Sequence, residues 1–431
     1  MAVAHTLEAA YAELDPKPLT AGQIETLFVQ RPNTRTQQLI TELKNAAMGE
    51  KFIFIGHRGS GKSTELEYAA SRLEDQYYTL SVPVFQVYQS ASISHDELMF
   101  ALFSRIIRIA TDDKLINAGI VTNAWDKYLR GAVEKVRKYL FSSNSEALPE
   151  THVSGKVNVL LAEIELNVSN SQEVRRKLEG RASDLQRDIN ATINQIQVVT
   201  GKRVLLIVED LDKFDLEPIR RLFVDHAGTL QLPAPTTIYS FPVSMRYTDD
   251  FDQISRAFKP YALPNIATHV RDGSPDETGR KALREVITRR AHESLFAPEA
   301  LERIVICGGV VRDMILLAQD SINNALSQNA PRVEVAHVEE AFNEVCFKRQ
   351  SLLTDQDYAN LPNYRRADLR NSPEIQRWLK NGSLIEYRNH VGIWCDLSPD
   401  TDEVLRRHDK DHPPKSNPAR RAAQTRAKAR R

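Results

Sequence analysis

Residues 52–63 read FIFIGHRGSGKS. Four apolar residues at 52–55 predict a short buried strand, and the glycine-rich run after it predicts a tight turn into a helix. Gly56, four residues, then Gly61-Lys62-Ser63 match the spacing G-x-x-x-x-G-K-[ST] of a phosphate-binding loop, in the strand-to-helix context which that loop needs. Glycines at 56, 59 and 61 permit backbone conformations closed to residues with a Cβ, so amide N–H groups can turn inward onto phosphate oxygens. The helix opening near Lys62 adds the positive end of its dipole. The pattern assigns Gly56, His57, Arg58, Gly59, Ser60, Gly61, Lys62, Ser63 and Thr64 to nucleotide binding. Lys62 is expected at the β- and γ-phosphates and the Ser63 hydroxyl at Mg2+.

Residues 201–215, GKRVLLIVEDLDKFD, are the second chemical landmark. Five apolar residues at 204–208 predict a central buried strand. It ends in Glu209-Asp210-Leu211-Asp212, which alone reads equally well as a solvated turn. Beside a phosphate loop, one such acid can hold Mg2+ or its water and a second can orient the attacking water. Glu209 is expected on the metal side, Asp210 at the water and Asp212 behind them. Further strands are expected at 79–87, 236–243 and 262–270. Ser240, Ser244 and Arg246 end the second of these, where a sheet site would sense phosphate. A helix at 62–74 and another opened by a Ser94/Glu97 capping box complete the alternation of a parallel α/β sheet.

The flanking segments differ in character. Residues 1–50 carry two helical patterns, the second with Leu39, Ile40 and Leu43 on one face. Residues 130–200 read as an insertion: a polar stretch at 142–155, an alternating strand or hairpin at 157–168, then one long helix from Ser171 to Val199. Its stripe of Leu178, Leu185, Ile189, Ile193 and Ile196 suits either a partner-facing arm or packing on its own domain. After residue 270 only helices are expected, opened by a second capping box, Ser274-Pro275-Asp276-Glu277. Arg312 falls in the first turn of a helix at 310–327, where a cation opposes the helix dipole unless it points at an anion. A helix from Ser372-Pro373-Glu374 to Gly382, then two strands in 383–397, predict a winged-helix module.

Lys plus Arg and Asp plus Glu are both 57 of 431 residues, so global charge points to no partner. The tail 413–431 has seven basic residues and no acid, reads as disordered, and offers charge to nucleic-acid phosphates. Three scattered cysteines indicate neither a disulfide framework nor a zinc site, and a reducing cytoplasm fits. No apolar run approaches ~20 residues, so no membrane span is expected.

Four segments, GHRGSGKST from Gly56, VLLIVEDLDK from Val204, IYSFPVSMRY from Ile238 and GGVVRDM from Gly308, together resemble the STAND and AAA+ class of P-loop ATPases, especially those built like archaeal origin-recognition proteins. The resemblance implies an α/β P-loop NTPase core with a parallel sheet and flanking helices, a helical lid and a C-terminal winged helix. In these terms the chain divides into an N-terminal helical segment (1–50), an ATPase core (51–270) with an insertion or arm (130–200), a lid (271–330), a winged-helix-like domain (331–405) and a basic tail (406–431). ATP and Mg2+ are the implied cofactors, and Lys62, Glu209, Asp210 and Arg312 the implied catalytic set, with Ser63 and Glu209 at the metal. Arg312 maps onto a lid arginine that contacts the γ-phosphate. Phe28, Val29 and Arg31 fall where such proteins pack on adenine, and Arg246 and Arg256 lie in the region of an arginine finger. The sequence departs from the pattern at Glu209, where aspartate is usual; the extra methylene lengthens its reach. No guanine-type NKxD motif occurs. The implied function is an ATP-dependent molecular switch acting with a homo-oligomer, a co-encoded effector or DNA, as in defence or signalling. The alternatives are a DNA-binding ATPase of replication or transposition type and a nucleotide-binding scaffold with little turnover.

Overall fold

The computed structural model describes residues 3–88, 90–111, 123–140 and 172–412. Five strands form its framework: β1 (Lys51–Gly56), β2 (Tyr77–Pro83), β3 (Arg203–Glu209), β4 (Thr236–Pro242) and β5 (Lys259–Ala262). They pair in the order β2-β3-β4-β1-β5, all parallel. Every residue of β1 and β4 is buried, which is why these strands read as unbroken apolar runs rather than alternating ones. The register sets Gly56 against Pro242 and Pro83 against Glu209, so the ends of β1, β3 and β4 share one edge. That edge is where parallel sheets place their sites.

Three strand expectations shift. The acid-bearing β3 is not the neighbour of β1, because β4 lies between them. The strand expected at 79–87 starts at Tyr77 and ends at Pro83, whose missing N–H cannot continue a ladder. The strand expected at 262–270 is instead β5, which ends at Ala262; one further bond, Leu263 N–H to Ile55 O at 2.8 Å, follows it before the chain leaves the sheet at Pro264.

The helices α1 (Leu7–Glu13), α2 (Ala21–Leu27), α3 (Thr36–Asn45), α4 (Lys62–Ser71) and α5 (His95–Thr111) precede β3. The Ser94/Glu97 capping box at the head of α5 forms as expected, with Ser94 N–H to Glu97 Oε2 at 2.8 Å and Glu97 N–H to Ser94 Oγ at 3.2 Å. The single helix expected from 171 to 199 is two, Gln172–Leu178 and Ala182–Thr200, broken at Gly180 with φ +73°. Its apolar stripe is fully buried, and Ala182–Thr200 packs on α5. The stripe is therefore core, not a partner-facing arm. The expected loop at 142–155, the strand at 157–168 and the tail at 413–431 lie outside the described residues.

A second core gathers the helices Glu277–Thr288, Pro298–Cys307, Val311–Ser327 and Val335–Gln350. This core takes in residues on both sides of the segment 271–330 expected to form a lid. Helix α1 joins it through Leu7 and Ala10, while α2 packs on α4 in the sheet domain. The capping box expected at 274–277 does not form. Asp276 takes the cap, accepting from Gly279 N–H at 3.0 Å, and Ser274 bonds Asp272 instead.

The C-terminal helix Pro373–Asn381 is as expected, capped by Ser372 and stopped by Gly382 at φ +77°. Strands β6 (Leu384–Arg388) and β7 (Ile393–Leu397) form an antiparallel hairpin. A further helix, Pro399–Asp411, covers residues assigned from sequence to the end of a wing and the start of a tail. Residues 331–405 contribute to more than one core. Val338 and Phe342 belong to the lid core, whereas Ile375, Trp378, Leu384 and Leu397 pack into the core of the sheet domain. No helix among the described residues is long and apolar enough to cross a membrane.

Candidate nucleotide-binding site

The loop between β1 and α4 turns through Gly59 at φ +83° and Gly61 at φ +91°, both in the left-handed region that glycine enters without strain. Gly61 caps α4, so the amides of Lys62, Ser63 and Thr64 in its first turn have no carbonyl partner within the helix. The Ser60 hydroxyl is buried with no hydrogen-bond partner. A Cβ on Gly61 would stand 2.6 Å from Nη2 of the buried Arg31, which adds crowding to the strain that φ +91° imposes on any other residue.

Lys62 is buried, and its ammonium donates to Gly56 O at 3.0 Å, His57 O at 2.8 Å and the Asp212 carboxylate at 2.9 Å. Burial opposes the charge on Asp212, but the Lys62 ammonium outweighs it and holds the carboxyl below its ordinary value. The sequence placed Glu209 and Asp210 in front and Asp212 behind; in the structure Asp212 is the acid that meets the lysine. Asp210 adopts φ +71°, which turns the chain sharply after β3 and brings Asp212 round. Its carboxylate pairs with Lys213 at 2.8 Å, and the Glu209 carboxylate accepts from the Ser81 hydroxyl. Ser240 steadies the turn: its hydroxyl accepts from Leu211 N–H at 3.0 Å.

The lid meets the loop at Arg312. Its backbone N–H donates to Gly59 O at 3.0 Å, and its guanidinium lies over Gly59, where an added Cβ would stand 3.0 Å from Cζ. The guanidinium itself donates to Asp313 at 2.9 and 3.0 Å. Sequence spacing and the resemblance both singled this residue out, and the structure brings it to the loop.

The other candidates divide: Phe28, Val29 and Arg31 line the space between the loop and the helix of Arg312, whereas Arg246 and Arg256 do not. Arg31 is buried beneath the loop. It donates to Ser60 O at 2.7 Å and pairs with Glu65 at 2.8 Å, and Glu65 also accepts from Thr36 at 2.7 Å. Glu65, in the first turn of α4, carried no recognisable signal in the sequence. Phe28 stacks on Tyr68 with ring centroids 4.1 Å apart. Arg246 donates to Glu386 on β6 at 3.0 Å, so it faces the hairpin and not a phosphate. Arg256 is exposed and pairs with Asp252 one turn away on its own helix. Ser244 is buried, and its hydroxyl has no partner.

Between loop and lid lies a cleft of about 340 Å³. Lys62, Ser63, Asp210, Asp212 and Arg312 line its polar side; Leu19, Val29, Val286 and Ile315 line its apolar side. This is the division a nucleotide needs, phosphates at one end and a base at the other. A larger cavity of about 460 Å³ between lid and hairpin is lined by side chains already committed to each other, as in His269–Asp396 at 2.8 Å and Arg365–Asp402 at 2.6 Å. The loop's orphaned Ser60 hydroxyl, glycine-turned backbone and unpaired first-turn amides fit a polyphosphate. No group of three or more His, Cys, Asp or Glu side chains able to hold a metal occurs among the described residues. A phosphate-site Mg2+ takes only one or two protein ligands and completes its shell with phosphates and water. Ser63 and the acids after β3 fit that need.

No protein-family model matches the chain, and no curated protein matches it in sequence. Solved structures resemble it at low identity. The Thermotoga maritima RuvB Holliday junction branch migration motor is 14% identical over 91% of this chain and 98% of its own, with a TM-score of 0.38. The Aeropyrum pernix ORC2 protein, in ADPNP–ADP complexes, is 10% identical over 89% and 94%, with a TM-score of 0.42. Cdc6p from Pyrobaculum aerophilum is 12% identical over 93% and 98%, with a TM-score of 0.40. None of these three likenesses reaches a TM-score of 0.5, and the fold rests on the elements described above: a five-stranded parallel sheet with flanking helices, a glycine-turned loop after β1 and a second, helical core.

Proposed function

We propose that the protein is an ATP-dependent switch that binds ATP with Mg2+ between loop and lid and hydrolyses it. The observation that carries this reading is the meeting of three elements at one place: a glycine-turned loop, a buried lysine held by an acid after β3, and a lid helix bonded to Gly59 through Arg312. A polyphosphate in the loop accepts from the first-turn amides and draws the Lys62 ammonium. Mg2+, held by Ser63 and an acid at the end of β3, would supply charge neutralisation across the phosphates. Asp210 or Glu209 orients the attacking water, and Arg312 carries the presence of the terminal phosphate to the lid. Phosphoryl transfer of this kind depends on positioning and charge rather than on covalent help from the protein. Lys62→Ala should abolish phosphate release; turnover at the parent rate in that variant would end this assignment. The switch reading includes self-association and an effector or nucleic-acid partner. Sedimentation with and without ATP tests the first, and salt-dependent binding to duplex DNA tests the nucleic-acid partner.

A second reading has its own support. Neither Glu209 nor Asp210 faces Lys62, since one is held by Ser81 and the other by Lys213. That favours a nucleotide-binding scaffold with slow turnover. Single-turnover phosphate release separates the two: tight ATP binding with no release over hours supports the scaffold.

A further inference from the structure

His57, the second loop residue, does not line the cleft. Its backbone carbonyl accepts from the Lys62 ammonium at 2.8 Å, while its side chain runs the other way into a buried junction with the hairpin. There His57 Nε2 accepts the backbone N–H of Glu386 on β6 at 2.8 Å. Asn265, just after β5, donates to Glu386 O at 3.1 Å. The Glu386 carboxylate accepts from Arg246 at 3.0 Å and from the Tyr247 hydroxyl, both in the turn after β4. One hairpin residue is thus gripped at its N–H, its C=O and its carboxylate by the segments that follow β1, β5 and β4.

From this geometry we infer that His57 is a positioning residue through which docking of the C-terminal hairpin and the set of the phosphate-binding lysine are coupled. A single residue offers its carbonyl to Lys62 and its ring to Glu386. Whatever moves the lysine onto a phosphate alters the first contact, and whatever lifts the hairpin breaks the second. Coupling of this kind is reciprocal: the factor by which docking changes nucleotide affinity is the factor by which nucleotide changes docking. The contact is also selective for chemistry. Glu386 N–H is a donor, so the ring nitrogen facing it must be unprotonated, and a side-chain amide oxygen of similar reach can replace it. The inference rests on the loop being a nucleotide site, and the experiment keeps the two separable.

The test uses the full chain and ATP in EDTA, so that binding is read without turnover. Amide hydrogen exchange across residues 384–397 reports docking, and calorimetric titration reports affinity. In His57→Ala, exchange at the Glu386 amide should rise at least tenfold and the Kd for ATP should change at least fivefold. In the parent, ATP should alter exchange across 384–397, and in His57→Ala that response should vanish. His57→Gln should restore both readouts. If ATP binds the parent but His57→Ala raises exchange and leaves the Kd unaltered, the contact is merely structural and the coupling is refuted. If the parent does not bind ATP, its own titration shows that the nucleotide reading has failed, and the coupling falls with it. Should His57→Ala not fold, Tyr247→Phe, which removes one hydroxyl from the same junction, carries the same two readouts.

Discussion

Replacing Asp212 by asparagine asks whether a carboxylate holds the phosphate-seeking lysine in reserve. The two charged groups are 2.9 Å apart, and their side chains are 7% and 8% exposed. At an effective dielectric of about 20 the gross attraction is about 6 kcal/mol. Desolvation offsets much of it, yet removing one partner of a buried pair typically costs about 3–5 kcal/mol. Asparagine keeps an oxygen acceptor at the same reach, and two carbonyls still hold the ammonium, so about 2 kcal/mol is the expected loss in the nucleotide-free protein. A triphosphate entering the loop supplies the counter-charge that Asp212 supplied. With the competitor neutral, about 1.4 kcal/mol of that deficit should return on binding, which lowers the Kd about tenfold. Calorimetric titration of ATP in EDTA, with thermal unfolding of the free protein alongside, reads both effects. The free variant should unfold at a lower temperature and bind ATP more tightly. An unchanged melting temperature with equal or weaker ATP binding would refute the reserve argument. The acid side follows the same logic. The folded carboxyl lies below its ordinary value of 3.8, so the pair's contribution is fully present above that pH and is lost as pH falls through the folded value.

Further expectations follow from neighbouring contacts. Gly59→Ala forces a side chain into φ +83° at a cost of about 1–2 kcal/mol and crowds Arg312, so both melting temperature and ATP affinity should fall; parent values for both would mean the lid does not rest on the loop. Arg31→Met leaves the buried Glu65 carboxylate with Thr36 alone and should cost about 3–5 kcal/mol, read as faster amide exchange in β1 and α4. Adding Glu65→Gln should recover most of that loss, and a double variant no better than the single would sink the ion-pair account. Burial, helped by the Lys62 charge, pushes His57 down from 6.5 to about 3. The unfolded chain therefore binds an extra proton between those values, and stability falls as pH drops below 6.5. Relative to His57→Gln, the parent should lose about 2 kcal/mol between pH 7 and pH 5, and parallel stability curves for the two proteins would contradict this.

What could be read in advance was whatever local chemistry decides. Glycine spacing from Gly56 to Gly61, the serine caps at Ser94 and Ser372 and the stop at Gly382 depend on near neighbours, and the chain obeys them. Arg312 stood out because a cation in the first turn of a helix needs a partner; the structure sets its backbone against Gly59 and its guanidinium against Asp313. The acid at Lys62 was not legible. Its choice depends on Asp210 entering the left-handed region, which aspartate tolerates but does not announce. The Arg31–Glu65 pair joins residues far apart in sequence, and no periodic pattern links them. The helix at 171–199 was overextended because an apolar stripe continues in phase across Gly180, where the backbone breaks. The placing of α1 in the lid had no sequence signature, since a short apolar face is the same whichever core receives it.

That placing has a mechanical consequence. Because α1 rides with the lid and α2 with the sheet domain, residues 14–20 form a strap between them, alongside the main connection that follows β5. The chain crosses again where residues 351–372 carry it from the helix Val335–Gln350 to the helix Pro373–Asn381, so the two bodies are tied at more than two places. Seven residues reach at most about 25 Å, and Pro16 and Pro18 stiffen them. The strap is also fastened at the loop itself, where Leu19 N–H donates to Thr64 Oγ1 at 3.2 Å. Pro16, Lys17, Pro18 and Leu19 of the strap line the cleft as well, so the short segment that ties the two bodies together also walls the space between them.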